Sequence, residues 1–406
     1  MVPDTLTFVD ADHAGDRFLG KNVVLIGGSS GMGFATGTQM VQECAKTVFI
    51  VCRNTVQGKV AVDILETLAA EQEQCGDNTS KVVLVKADVE DRAQVKKMYK
   101  TVGDITPRVD IVVNCAGIGG YMGPGIGGVP DKFVFSKFDP ILNNLYGNLY
   151  VSTEAVRFWN ISDDGPSGLD YTPVLINYAS ANSLEPCPGC DMYSASKGGI
   201  MMLTASIAKK YQGKMRTHAI LPGLVDTPLT WNQVRGMKIA QNGSVVRAEP
   251  LQAFQCYSEV DSRVIEDGTC PSGGTGLGCP CEDIARSDPR VEKYFSSLGM
   301  WPPVSPLKVA KVTLLLASDE ASHLNGKTYV VDTNFTDDIA TQKVRDCPLT
   351  TQESCPLLPY SEILGAEKAS YGMVMMPFDI FSFLSGFLFC MLISNMFSIR
   401  LKSFRQ

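Results

Sequence analysis

Tyr193 and Lys197 stand four residues apart in Tyr193-Ser194-Ala195-Ser196-Lys197. On a helix, positions i and i+4 share a face, so the ammonium can sit near the phenol. A phenol with an ordinary pKa of about 10 is a poor acid–base group at neutral pH, and a fixed cation nearby lowers that value. Taken alone, such a pair usually reads as a surface Tyr and Lys on an exposed helix face. Here Ser180 lies upstream at the end of an apolar run, and a second cluster opens the chain at Gly27-Gly28-Ser29-Ser30-Gly31-Met32-Gly33. Glycines let the backbone turn tightly and approach a pyrophosphate, and a helix that follows offers free N–H groups and a positive dipole. Asp88 and Asn114-Cys115-Ala116-Gly117 add polar groups after two further apolar runs.

These positions need a scaffold, and the hydrophobic pattern supplies one. Short runs enriched in Val and Ile occur at 23–27, 47–52, 81–87, 109–114, 172–179 and 216–221. Segments with helical spacing separate them at 31–45, 56–74, 91–103, 136–161 and 191–212. Apolar runs joined by helices read as βαβ units with a parallel sheet covered on both faces. Right-handed crossovers make that a doubly wound α/β fold, in which ligands bind at the carboxyl ends of the strands. The Gly-rich loop, Asp88, Asn114 and Ser180 all fall at such ends. The pattern breaks after Pro228, is irregular over 231–304, and resumes at 306–318 and 327–332. Segment 231–304 therefore reads as an insertion within one domain.

In order and spacing, GGSSGMG, Asp88-Val89, NCAG, Asn144 in NNLYG, Ser180, YSASK and Leu221-Pro222-Gly223-Leu224-Val225-Asp226-Thr227 resemble the short-chain dehydrogenase/reductase family. A late match covers LLLASDEASHLNGKTYVVD. The resemblance spans about residues 20–230 and 305–335, and it implies a Rossmann-type domain over 21–335. It implies that Tyr193 is the general acid/base, that Lys197 holds the nicotinamide ribose and depresses the Tyr193 pKa, and that Ser180 hydrogen-bonds the substrate oxygen. Asn144 would fix a water linking Lys197 to solvent. Gly27, Ser30, Met32 and Gly33 would surround the phosphates, Asp88 and Val89 would contact adenine, and Asn114, Ala116 and Gly117 would line the cofactor. Val225 and Thr227 would hold its carboxamide and pyrophosphate side. The partner is then a small carbonyl or alcohol substrate, and the assembly a homodimer or homotetramer. The expected reaction is hydride transfer between a carbonyl and a secondary alcohol.

Cofactor choice is read at the end of the second strand, VFIVCRN. An acidic residue there would bind the adenosine ribose hydroxyls and select NAD(H). Cys52 and Arg53 stand there instead. A guanidinium can grip a 2′-phosphate, so NADP(H) is expected over NAD(H). The competing reading makes Arg53 an ordinary solvated charge. Two other function classes compete with the oxidoreductase: a non-catalytic nucleotide-binding sensor or scaffold at a membrane, and an epimerase or dehydratase. The joint presence of Asn144, Ser180, Tyr193 and Lys197 argues against the first. The second usually carries a longer C-terminal substrate domain.

The chain also departs from the family. Cys187-Pro188-Gly189-Cys190 lies between Ser180 and Tyr193, where it reads as plain loop residues, a redox pair being the other reading. The long insertion 231–304 is expected to cap the pocket and set specificity. Thr333-Asn334 replaces a terminal Gly-Gly, which puts the usual subunit contacts in question.

The 406 residues are 45% hydrophobic and 19% charged, enough for a full core. A net charge of −7 with no long basic run excludes nucleic acid as the main partner. The 3 histidines are too far apart in sequence for a zinc helix motif, and no metal is expected. Of 13 cysteines, Cys44, Cys52 and Cys115 read as core thiols. Cys256, Cys270, Cys279, Cys281, Cys347 and Cys355 fall in irregular stretches, where disulfides would form only in an oxidising compartment. Asn-x-Ser/Thr triplets begin at Asn78, Asn160, Asn242 and Asn334. Chance alone gives about two, so the count decides nothing about compartment.

Residues 1–20 form an N-terminal arm with acidic residues and no apolar core. Residues 336–379 read as a linker. Residues 380–399 (IFSFLSGFLFCMLISNMFSI) carry no charge, and the tail 400–406 is basic. As a helix that run is about 30 Å long, enough to span or anchor in a bilayer. A buried or oligomerisation helix would be the other reading. The basic tail favours a cytoplasmic C-terminus. With no earlier apolar signal, the simplest insertion leaves the catalytic domain in the cytosol.

Overall fold

Runs of Val and Ile become strands here because helices cover both of their faces. A computed structural model describes residues 15–119, 139–185, 190–230, 237–239, 245–248, 289–297 and 301–332. The first six strands are β1 (Asn22–Ile26), β2 (Thr47–Cys52), β3 (Lys81–Lys86), β4 (Ile111–Asn114), β5 (Val174–Tyr178) and β6 (Arg216–Pro222). Helices α1 (Gly31–Gln42), α2 (Thr55–Ala70), α3 (Arg92–Ile105), α4 (Gly147–Phe158) and α5 (Asp191–Lys210) alternate with them. Then come β7 (Met237–Ile239), β8 (Val245–Ala248), α6 (Pro289–Ser297), α7 (Pro306–Ala317) and β9 (Thr328–Val331).

Seven parallel strands lie in the order β3-β2-β1-β4-β5-β6-β9. The strand order reverses between β1 and β4, which opens a crevice at their carboxyl ends. Strand periodicity divides the core into two layers. Val23 and Leu25 of β1 and Val48 and Ile50 of β2 pack with α1, α2 and α7. Val24, Ile26, Phe49 and Val51 face the other way, with α3 and α4. Asn54, Asp91 and Ser305 cap α2, α3 and α7 by accepting backbone N–H bonds.

Four expectations need correction. Cys44 is not a core thiol: it forms a disulfide with Cys75, which lies in a 3-10 turn, Glu73–Asn78, where the expected helix to residue 74 has already ended. Cys52 is a free thiol whose burial pushes its pKa up, and Cys115, also free, is pushed up to about 12. The helix expected over 136–161 begins as a π-helical turn, Ile141–Tyr146, before α4. The insertion is not irregular throughout, since β7 and β8 pair as an antiparallel hairpin and α6 follows. The six cysteines of the irregular stretches, the pair Thr333-Asn334, the linker and the run 380–399 lie outside the described residues. Among the described residues, no helix is long and apolar enough to cross a membrane.

Candidate active site

The Gly-rich turn leaves β1 and enters α1 directly over the crevice. Gly27 sits at φ 79°, in the left-handed region, and a Cβ there would lie 2.8 Å from the Ala116 backbone nitrogen. A Cβ on Gly33 would lie 2.3 Å from the Gly27 carbonyl oxygen. Only glycine fits at either position. Ser30 is the N-cap of α1, yet its side chain makes no capping bond. The first amides of α1 are thus left for an anion. Thr227 packs against this turn, with its Cβ and Cγ2 each 3.4 Å from where a Cβ on Gly31 would be. Val225 is held close by through a bridge to Val304. Met32 is partly buried in the α1 layer. These observations fit a dinucleotide phosphate cradle.

The next wall comes from β4. Asn114 is buried at the strand end, and its Oδ1 accepts from the Ala116 N–H at 3.3 Å. Gly117 then passes between two polar groups. The position of a Cβ there lies 3.2 Å from Asn144 Oδ1 and 3.3 Å from Lys197 Nζ. Asn144 is presented by the π turn, a local widening common at functional sites. Its Oδ1 accepts from the Ile118 N–H at 2.8 Å, and its Nδ2 donates to the Ile118 carbonyl at 3.1 Å and to Ser196 Oγ at 3.2 Å. Ser196 Oγ in turn donates to the Tyr193 carbonyl at 2.7 Å. The Asn144 amide therefore ties β4, the π turn and the first turns of α5 together.

On α5, Tyr193 is half-buried while Lys197 is buried one turn on. Lys197 Nζ lies 5.8 Å from the centre of the Tyr193 ring and donates to the Tyr178 carbonyl at 3.0 Å. Burial pulls the Lys197 pKa down to about 8. The group is then still mostly protonated at neutral pH. Ser180 is buried just past β5, and its Oγ accepts from the Asn182 N–H at 3.2 Å. The structure thus brings Asn144, Ser180, Tyr193 and Lys197 to one end of the sheet.

At the other end of the crevice, Asp88 caps its own turn, its Oδ1 accepting from the Glu90 N–H at 3.1 Å. Val89 is buried against Gly147. Arg53 is exposed beyond β2, and Glu90 lies 4.0 Å from it. Glu90 is a residue that sequence reasoning missed. Its Oε1 also accepts from Asn143 Nδ2 at 2.7 Å, so the π turn fixes the carboxylate beside Arg53. The only signal was adjacency to Asp88-Val89. Cys190 is buried, while Cys187 to Gly189 lie outside the described residues.

Comparison with known proteins agrees with this geometry. A family model described as short chain dehydrogenase matches residues 21–238, more than half of the chain. The 3-oxoacyl-[acyl-carrier-protein] reductase FabG of Thermotoga maritima is 28% identical over 220 residues, covering 53% of this chain and 78% of that protein. The 3beta-hydroxysteroid dehydrogenase of Mediterraneibacter gnavus is 26% identical over 326 residues, covering 79% and 96%. The crystal structure of levodione reductase superposes with a TM-score of 0.56 at 20% identity, over 78% of this chain and 97% of that one, a likeness of fold.

Proposed function

The chain belongs to the short chain dehydrogenase family of nicotinamide-dependent oxidoreductases, and from that premise we propose that it interconverts a carbonyl and a secondary alcohol with NADP(H) as cofactor. The observation that carries this reading is the buried Lys197 ammonium one helical turn from Tyr193, with Ser180 and Asn144 at the same strand ends. With its phosphates in the cradle of Gly27, Ser30, Met32 and Gly33, the cofactor would supply or accept the hydride through its nicotinamide. Tyr193 Oη donates its proton to the substrate oxygen as negative charge grows there, and takes it back in the reverse direction. Lys197 favours the phenolate by its fixed charge and holds the ribose. Ser180 Oγ donates a hydrogen bond to the same oxygen. Asn144, anchored on Ile118 and Ser196, orients the proton path beside Lys197.

NADP(H) preference rests on the absence of an acidic residue at Cys52 and Arg53, and on Arg53 being exposed just past the carboxyl end of β2, where a guanidinium could grip a 2′-phosphate. A lipophilic substrate is favoured by the uncharged run 380–399, which would hold the enzyme at a membrane, and by the hydroxysteroid relative.

Fluorescence titration with NADPH and NADH, paired with turnover on a carbonyl panel, tests the proposal. The wild type is expected to bind NADPH more tightly than NADH. Tyr193→Phe should bind NADPH as well as the wild type but lose at least about 100-fold in turnover, the scale of a general acid–base group. Tighter NADH binding would overturn the cofactor assignment, and a fully active Tyr193→Phe the mechanism.

A further inference from the structure

We propose that this domain matures in an oxidising, glycosylating lumen, and that Asn78 and Asn160 are N-glycan attachment sites at the end of the sheet opposite the cofactor cradle. Placement, not number, carries the inference. Cys44 and Cys75 are both buried and joined to each other, clamping the end of α1 to the turn between α2 and β3. Disulfides of this structural kind persist on the oxidising side of a membrane and are rare in the cytosol. Cys44 is also an unusual occupant of its position. It has φ 62°, and the N–H groups of Cys44 and Ala45 bond the carbonyls of Val41 and Met40. That is a Schellman cap, whose left-handed residue is normally Gly or Asn. A cysteine there is accounted for by its bond to Cys75.

The same 3-10 turn that carries Cys75 ends at Asn78, in the triplet Asn78-Thr79-Ser80, and the Asn78 side chain is exposed. Asn160-Ile161-Ser162 lies at the end of α4. Asn160, at φ 52°, is the left-handed residue of a second Schellman cap, with the N–H groups of Asn160 and Ile161 bonding the carbonyls of Arg157 and Val156. It too is exposed, while Ile161 beside it is buried as an anchor. Every helix of the doubly wound sheet runs back from the carboxyl ends of the strands. The C-terminus of α1, the turn after α2 and the C-terminus of α4 therefore all lie at the amino ends. A bulky saccharide on either Asn would be solvated there and would not obstruct the crevice. The basic tail 400–406, which favours a cytoplasmic C-terminus, agrees with a lumenal domain on the other side of residues 380–399. This placement is opposite to the cytosolic one that the sequence alone suggests.

The chemistry is balanced by two reagents of that compartment. The thiols of Cys44 and Cys75 lose two protons and two electrons to a disulfide-bearing oxidant, which leaves as a dithiol. At each Asn, Nδ2 bonds to C1 of a saccharide carried on a lipid diphosphate. The C1–O bond breaks, the lipid diphosphate departs with the electron pair, and the amide proton passes to a base of the transferase.

The test uses the full chain purified from the cells that make it, with free thiols blocked by maleimide before any reduction. Digestion with peptide N-glycosidase in heavy-oxygen water, followed by peptide mass spectrometry, should show labelled Asp at positions 78 and 160 and a linked Cys44–Cys75 pair. Asn78→Gln and Asn160→Gly, the second keeping the left-handed cap, should each remove one step in gel mobility. Unmodified Asn78 and Asn160 overturn the proposal whether or not the cysteines are linked, and maleimide on Cys44 and Cys75 overturns the oxidising compartment. None of these readouts depends on turnover, so they stand apart from the oxidoreductase reading.

Discussion

Lys197 carries the largest electrostatic consequence among the site residues. Its ammonium is buried with the Tyr178 carbonyl as a hydrogen-bond acceptor, and desolvation lowers its pKa from 10.5 to about 8. In the unfolded chain the same group holds its proton up to about 10.5. Between those values the unfolded state binds more protons than the folded one, so folding stability contributed by this residue rises with pH across the window. Below about 8 both states are protonated, and the cost of burying the charge is fully present. Denaturant unfolding of wild type and Lys197→Met across pH 7 to 10.5 measures the difference. The wild type should gain on the variant by up to about 3 kcal/mol over that range. Parallel pH curves would show that the ammonium is not desolvated as described. Its place one helical turn from Tyr193 was legible in the sequence, because a four-residue spacing on a helix needs no tertiary knowledge, but its burial was not legible from that spacing. Neither were the neighbours that enclose it, since Tyr178 and Gly117 reach it only through the sheet. Glu90 beside Arg53 and the buried His218 were illegible for the same reason. Neither ring nitrogen of His218 has a hydrogen-bond partner among the described residues, and burial pulls its pKa down to about 3.

At the scale of elements, the last layer of the fold depends on one side chain. Arg216 opens β6 and is buried. Its guanidinium donates to the carbonyls of Leu316 at 2.8 Å, Ala321 at 3.0 Å, Ser318 at 2.9 Å and Ala317 at 3.4 Å. These are the orphan carbonyls at the end of α7 and the turn beyond it. A planar fork with five donors suits four divergent acceptors, and a lysine ammonium with three does not. The positive charge also meets the negative end of the α7 dipole. Arg216→Lys should therefore destabilise the domain by roughly 2–4 kcal/mol, read from the denaturation midpoint at constant m. A change under about 0.5 kcal/mol would mean that solvent or backbone shifts replace the guanidinium without cost. The sequence places β6 and α7 well, because their apolar periodicity is strong. It gives no sign that an Arg inside an apolar run stitches them together. The π turn that presents Asn144 is likewise silent in the sequence, because its residues are those of an ordinary helix. The clamp from Cys44 to Cys75 was missed because Cys44 sits in an apolar stretch and its partner lies 31 residues away.

Seen whole, the described residues close a complete sheet, with β9 paired to β6 as the final strand. All the groups assigned to cofactor and proton transfer lie between Gly27 and Thr227, and the last packing layer ends with β9. Among the described residues, the core is built from elements up to and including β9. Legibility follows the same line: the repeating α/β pattern was readable where apolar runs alternate, whereas 231–304 departs from any period and its hairpin was not. The run 380–399 stands apart by composition, with no charge to be solvated and a basic tail behind it. In a bilayer, such a helix satisfies its own backbone while burying apolar side chains in lipid. A chain ending at residue 335 should therefore fold, bind NADPH as tightly as the full chain and remain in the supernatant after ultracentrifugation with phospholipid vesicles. The full chain should sediment with the vesicles and resist extraction by alkaline carbonate. Release of the full chain by carbonate would make 380–399 a protein-packing helix. Loss of NADPH binding on truncation would mean that the C-terminal segment belongs to the working fold.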